Sequence, residues 1–236
     1  MSLAERLASV RSRITDASKR AGRDPSEVTL VAVSKFHPVS AIEEAYAAGQ
    51  RFFGENRVQE AEEKRQGLEG LIRSADPLRL ELIGALQSNK VRKAVASVSR
   101  IQSVDSSELG VRVGRAAVEM GIVMPVLIQV DLAGEATKSG IPAADLMSAL
   151  ASLKAVAGLR VEGLMAIPPF LEDVNQVRPY FARLRELRDK ALQSGLLAGR
   201  ELSMGMSHDF EVAIEEGATL IRVGTAIFGE RPPKSV

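Results

Sequence analysis

From Thr29 onward the chain alternates short apolar runs of strand-forming residues with stretches whose apolar positions recur at helical spacing. The runs LVAVS (30–34), RFFGE (51–55), LELIGAL (80–86), RIQSVD (100–105), VLIQVDL (126–132), RVEGLMAI (160–167), ELSMG (201–205) and TLIRVG (219–224) predict eight strands. Each gap is long enough for a crossover, and AIEEAYAAG, NKVRKAVASV, LGVRVGRAAVEMG and FARLRELRDKAL have amphipathic helical patterns. Ahead of the first strand, Leu3, Leu7, Val10 and Ile14 share one face of an additional N-terminal packing helix.

Eight strand and helix units in 236 residues predict a single (β/α)8 TIM barrel domain spanning 1–236. The rival is an open, doubly wound sheet. Its nucleotide-binding forms lose support because the chain has neither a G-x-G-x-x-G after a strand nor a G-x-x-x-x-G-K-[ST]. Punctuation agrees with the parse: Ser40 and Glu43 predict a capping box closed by Gly49, and Ser207 predicts the cap of a helix running to Glu216 and stopped by Gly217. The loops 67–79 and 168–175 are expected to be the mobile or variable pieces.

Composition narrows the function classes. Lys and Arg total 31 against 30 Asp and Glu, so a net charge of +1 provides no field for nucleic acid or anionic lipid. Without tryptophan, and with two tyrosines, the aromatic platforms for stacking nucleic acid bases are missing. The absence of cysteine excludes disulfides, thiolate metal sites and cysteine nucleophiles. The N-terminal stretch lacks a signal-type apolar core, and no segment reaches the roughly 20 apolar residues of a membrane span, so a cytoplasmic protein is expected. Charged helical faces such as RLRELRDK and EAEEKR read as solvated surface and predict a monomer.

In such a barrel the loops after the strands open onto one face, where functional groups gather. Lys35, Glu55, Asn56, Gln87 to Asn89, Asp105, Met165, Ser203 to Ser207, Gly224 and Thr225 all fall at those ends. Taken singly, each reads as a turn residue or a solvated charge. Taken together, SMGMSHDF and RVGTAIFG place hydroxyls, glycine and free N–H groups after the seventh and eighth strands, where barrels frequently hold phosphate. The plain alternative is that Ser203 and Ser207 cap and Gly224 turns.

Barrel closure sets the last strand beside the first, and therefore this cradle beside Lys35. A lysine becomes nucleophilic when desolvation lowers its pKa, so a Schiff base with pyridoxal 5′-phosphate accounts for both the residue and its position. Alternation puts Leu220, Arg222 and Gly224 on one face. An arginine facing the pyridine nitrogen keeps that nitrogen unprotonated and weakens the ring as an electron sink. The alternative for Arg222 is an interior salt bridge with Glu81 or Glu162.

The motifs VAVSKFHP, FGENRVQE, IGALQSNK, VDLAGEATKSGI, GLMAIP, LSMGMSHDFEVAI and IRVGTAIFG occur in that order over nearly the whole chain. In this the sequence resembles the pyridoxal phosphate homeostasis proteins, related in fold to the N-terminal barrel of bacterial alanine racemase. The resemblance implies a cofactor lysine at Lys35 and ring or phosphate contacts at Asn56, Ser203, Arg222, Gly224 and Thr225. Met165 and Met206, at the open ends of the sixth and seventh strands, complete the expected cofactor-binding set. One departure is Glu81, where the family often has histidine. Lys138, in the intact TKSG, is placed to receive or relay an aldehyde, although its plainer reading is a solvated loop lysine.

The expected function is a carrier that holds the cofactor on Lys35, limits the free aldehyde and meets cofactor-dependent apoenzymes transiently. The alternative is a racemase or another enzyme of the same fold. Racemisation by the alanine racemase route needs a second base, a tyrosine from a C-terminal β domain; here Tyr46 and Tyr180 sit in helical patterns. His37 and His208 read as a turn residue and a helix first-turn residue. A lysine-dependent aldolase is a third reading, disfavoured because Lys35 lies on the first strand rather than a middle one.

Overall fold

A computed structural model describes residues 1–134 and 139–229. Helix α1 (Leu3–Arg20) precedes strand β1 (Thr29–Val33), which pairs in parallel with both β2 (Phe52–Glu55) and the last strand, β8 (Leu220–Val223). Strands β3 (Arg79–Leu82), β4 (Arg100–Val104), β5 (Met124–Asp131), β6 (Leu159–Met165) and β7 (Glu201–Met206) continue the ring, and pairing of β4 with β5 leaves it closed. The expected eight-stranded barrel with a preceding helix is therefore the observed fold.

Helices follow the strands: α2 (Val39–Ala47), α3 (Val58–Gly67) with the one-turn α4 (Glu69–Ile72), α5 (Val91–Ser97), α6 (Ser107–Glu119), α7 (Leu146–Lys154), α8 (Arg178–Gln193), α9 (Phe210–Glu215) and α10 (Thr225–Phe228). Strand alternation sorts the side chains into two layers. From β1, Leu30 and Ala32 join the large core between sheet and helices, while Val31 packs inside the ring with Leu127, Met165 and Leu220.

The face of α1 predicted from the sequence is the one packed on the core: Leu3, Leu7, Val10 and Ile14 are all buried. Ser2 and Glu5 form a capping box at its start. Arg13 and Arg20 pair with Glu211 and Glu215 of α9, and Arg6 Nε donates to the Ile227 carbonyl of α10 at 2.6 Å. The added helix thus fastens the two units that follow β7 and β8. Among the described residues no helix is long and apolar enough to cross a membrane.

Four local expectations need correction. Pro38, not Ser40, occupies the N-cap of α2; its fixed φ starts the helix early, Ser40 falls inside the first turn, and the Ser40–Glu43 box does not form. At α9 the N-cap is Asp209, whose Oδ1 accepts the Met206 N–H at 2.6 Å, and Ser207 faces Gly224 instead. Strand β3 ends at Leu82 rather than 86, because at Gly84 the Asn56 carbonyl approaches so closely that a Cβ would lie 2.2 Å from it. The loop 67–79 contains α4 and is tied down where the Tyr46 hydroxyl donates to the Asp76 carbonyl at 2.7 Å. An unanticipated two-residue strand, Ile141–Pro142, pairs with Val130 and Asp131 at the open end of β5. The stops at Gly49 and Gly217 hold, with φ of 88° and 96°.

Replacing Leu7 with alanine should cost about 2–5 kcal/mol, the range for emptying a buried leucine site. Urea unfolding measures this, and a loss below about 1 kcal/mol would mean that α1 is not part of the cooperative core.

Candidate functional site

At the open end of the barrel lies a cavity of about 600 Å³, within the range of small-molecule sites. Val33, Lys35 and His37 line it from the end of β1, Asn56 from β2, and Ile83, Gly84 and Ala85 from β3. The opposite wall is Ile167 and Phe170 after β6, Met206, Ser207 and His208 at the end of β7, and Arg222, Gly224 and Thr225 from β8. Lys35 is half-buried. The amine and the last-strand cradle therefore open into one space, as closure demands.

The cradle is built by close approach. A Cβ at Gly224 would stand 3.2 Å from the Val33 carbonyl, so glycine allows the chain leaving β8 to run against β1. The Gly224 N–H points at Ser207 Oγ across 3.4 Å. With the Thr225 hydroxyl, this corner offers short polar groups and backbone donors.

Arg222 is buried, and no carboxylate contacts it among the described residues. It donates to Ser203 Oγ at 2.5 Å and to the Ala166 carbonyl at 3.0 Å. Burial lowers its pKa to about 10, with the Asp209 charge opposing through space, so it stays cationic near neutrality. The expected alternative, a salt bridge to Glu81 or Glu162, does not form. Arg100 takes Glu81 at 3.0 Å, and Arg160 takes Glu162 at 2.7 Å.

The donation continues from Arg222 across the barrel. Ser203 Oγ donates to Gln102 Oε1, and Gln102 Nε2 donates to Glu81 Oε2, each at 2.5 Å. Burial pushes the Glu81 pKa up against the pull of Arg100. Glu81 is thus an anchor beneath the cavity and does not line it.

A second buried ionic group underlies the Lys35 turn. Lys64 Nζ donates to Glu55 Oε1 at 2.7 Å and to Glu60 Oε1 at 2.8 Å. Burial raises the Glu55 pKa, opposed by Lys64. His37, stacked on Phe228 with ring centroids 4.9 Å apart, has its pKa lowered by burial and then by the Lys64 charge. The reading of EAEEKR as wholly solvated is corrected here, since Lys64 is buried against the strand ends.

A profile of the family described as alanine racemase, N-terminal domain, matches residues 6–232. A pyridoxal phosphate homeostasis protein of Aquifex aeolicus is 44% identical over 231 residues, covering 98% of this chain and 99% of that one. The protein of the same name from Escherichia coli K12 is 41% identical over 230 residues, covering 97% of each. The chain belongs to this family. Among solved structures, PipY of Synechococcus elongatus with PLP bound superposes with a TM-score of 0.84 at 44% identity, covering 97% of this chain and 100% of PipY. An alanine racemase of Clostridium difficile shares the fold, with a TM-score of 0.75 at 15% identity, over 99% of this chain and 58% of the racemase.

Six residues singled out from the sequence, Lys35, Asn56, Met206, Arg222, Gly224 and Thr225, line the same cavity. Met165 and Ser203 lie beneath it, fully buried: Met165 packs on Val31, Leu127 and Leu220, and Ser203 holds Arg222. His37 sits in the turn after β1, as read, whereas His208 lies in the turn ahead of the Asp209 N-cap rather than in the first turn of α9, and both line the cavity. Gln87 borders an adjoining cavity of about 670 Å³ that shares Asn56 and Ala85 with the first. Asp105, its pKa raised by burial, lines neither cavity. Lys138 lies outside the described residues.

Sequence reasoning missed Gln102, whose polar side chain on a barrel strand was the available signal. It also missed Ile167 and Phe170, which the rule of strand ends would have located.

Gly84→Ala should force the Asn56 backbone to move. A destabilisation of about 1–3 kcal/mol is expected from such overpacking, which would lower Tm by about 2–4 °C per kcal/mol. An unchanged Tm, with Asn56 in place in a crystal structure of the variant, would contradict the close approach.

Proposed function

We propose that this protein binds pyridoxal 5′-phosphate in the cavity at the open end of the barrel, holds it covalently on Lys35, and serves as a carrier or buffer of the cofactor. The observation that carries the reading is the convergence of three chemically distinct groups on one cavity: a primary amine at Lys35, a buried guanidinium at Arg222 that no carboxylate among the described residues contacts, and the polar corner of Ser207, Gly224 and Thr225. Those features suit an aldehyde, a ring nitrogen and a phosphate respectively. Full-length similarity to proteins named for pyridoxal phosphate homeostasis, and to PipY with PLP bound, supports the same ligand.

The cofactor supplies an aldehyde that condenses with a primary amine and a pyridine ring that draws electron density. Lys35 gives the amine. Ser207, Thr225 and the Gly224 backbone offer hydrogen bonds to phosphate oxygens. Arg222, which keeps its protons near neutrality, favours an unprotonated ring nitrogen and so makes the site a poor stabiliser of carbanions. Asn56 and Met206, which line the cavity, would border the ring, while Ser203 and Met165 lie buried beneath it.

A carrier rather than a catalyst is favoured by the place of the tyrosines. The Tyr46 hydroxyl is bonded to the Asp76 carbonyl far along α2, and neither tyrosine lines the cavity. His37 and His208 do line it and are the groups on which an enzymatic reading would rest. Transient contact with apoenzymes, a cytoplasmic location and a monomeric state belong to the same proposal.

Borohydride reduction of the cofactor-loaded protein followed by peptide mapping should place the adduct on Lys35. An adduct on another lysine would overturn the assignment. Lys35→Ala should lose the absorbance of the covalent link while keeping weak affinity through the phosphate corner; an unchanged yellow colour would contradict the proposal. Adding amino acids to the loaded wild-type protein should give no turnover, and sustained racemisation would favour the enzyme.

A further inference from the structure

Lys35 stands between two peptide units that a single buried ionic cluster holds from below. On one side the Ser34 carbonyl accepts from Lys64 Nζ at 2.7 Å; on the other the Phe36 N–H donates to Glu60 Oε1 at 2.6 Å. Lys64 joins the two anchors, because it also donates to Glu60 Oε1 and to Glu55 Oε1. Glu55 Oε1 in turn accepts from Ser34 Oγ at 2.6 Å. Every member of the cluster therefore touches the Ser34–Phe36 turn directly or through Lys64.

Removing these charges from water is a poor way to stabilise a fold, since well-packed apolar groups of similar volume usually do as well or better. The Lys64 and Glu55 side chains are 7% and 0% exposed, and Glu55 Oε2 has no hydrogen-bond partner among the described residues. What the cluster does distinctively is fix a short turn at several points. That turn needs fixing: Phe36 has φ of 68°, a left-handed conformation rarely adopted by a residue with a bulky side chain. Such a conformation persists only where the surroundings over-determine it.

We propose that Lys64, with Glu60 and Glu55, is a positioning device for Lys35, clamping the peptide units on either side so that the amine is presented to the cavity in one orientation. This rests on the reading of Lys35 as the amine that captures pyridoxal phosphate. Capture joins the lysine nitrogen to the aldehyde carbon and releases one water, and it requires a fixed approach of the two atoms. Lys64 does not line the cavity and so acts only through the turn.

The test uses the full chain with Lys64→Met, Glu60→Ala and Glu60→Gln. Covalent capture is followed by absorbance and by borohydride-fixed adduct, and binding of pyridoxine 5′-phosphate is measured alongside. That analogue keeps the ring and the phosphate but has an alcohol in place of the aldehyde. Lys64→Met and Glu60→Ala should slow capture about 10- to 100-fold, the range for misplacing a reacting group by about 1 Å, and Glu60→Gln, whose carbonyl still accepts from Phe36, should stay within about 3-fold of wild type. Affinity for the alcohol should be unchanged in all three.

Undiminished capture in both Lys64→Met and Glu60→Ala would overturn the clamp. Parallel loss of capture and of alcohol binding would also overturn it, leaving the cluster as scaffold. If Lys64→Met fails to fold, the partly exposed Glu60 position decides. Failure of the wild type itself to capture the aldehyde would instead sink the cofactor reading.

Discussion

Parallel pairing of the first strand with the last is the constraint on which the site depends. In that ladder Val31 lies opposite Arg222 and Ala32 opposite Val223, so the chain leaves both strands at the same height. Neighbouring strands run about 4.8 Å apart, which brings residues 35 and 224, nearly two hundred positions apart in sequence, to one cavity. Helix α1 reinforces that seam, because its charged side chains fasten α9 and α10, the helices following β7 and β8. A segment that looks like an appendage in sequence therefore supports the corner suited to an anion.

Around this seam the molecule divides its polar groups by task. Of those that border the cavity, Lys35, Asn56 and Gly224 are half-buried, and Arg222 alone of the described polar side chains lining it is buried. The groups that hold them are buried outright: Ser203 beneath Arg222, and Lys64 with Glu55 beneath the Lys35 turn. The working surface is thin, and the rigidity needed to orient it comes from charges and amides that no ligand can reach.

Much of the fold was legible because strand alternation and helical spacing reflect a core that only a closed, layered structure can bury. Lys35 was legible for a related reason, as an apolar strand has no packing use for an ammonium at its tip. Less visible were features decided by encounters between distant segments. Lys64 sits in a charged helix whose composition suits solvent, and only the approach of Ser34 and Glu55 draws it inward. The cap at Ser40 failed because Pro38 had already set the helix start, a competition between two local signals. Strand three stopped short because a neighbouring backbone occupied the space above Gly84.

The thread from Arg222 through Ser203 and Gln102 to Glu81 has a polarity of its own. Every hydrogen along it points the same way, so the oxygen ends of its neutral dipoles face the guanidinium and the hydrogen ends face the carboxylate. The barrel interior consequently behaves like a small electret, with opposite charges at its two poles quieted by the oriented groups between them. Turning the Gln102 amide over would set its NH2 against the Ser203 hydroxyl hydrogen and its oxygen against the Glu81 carboxylate, which commits the thread to a single hydrogen arrangement.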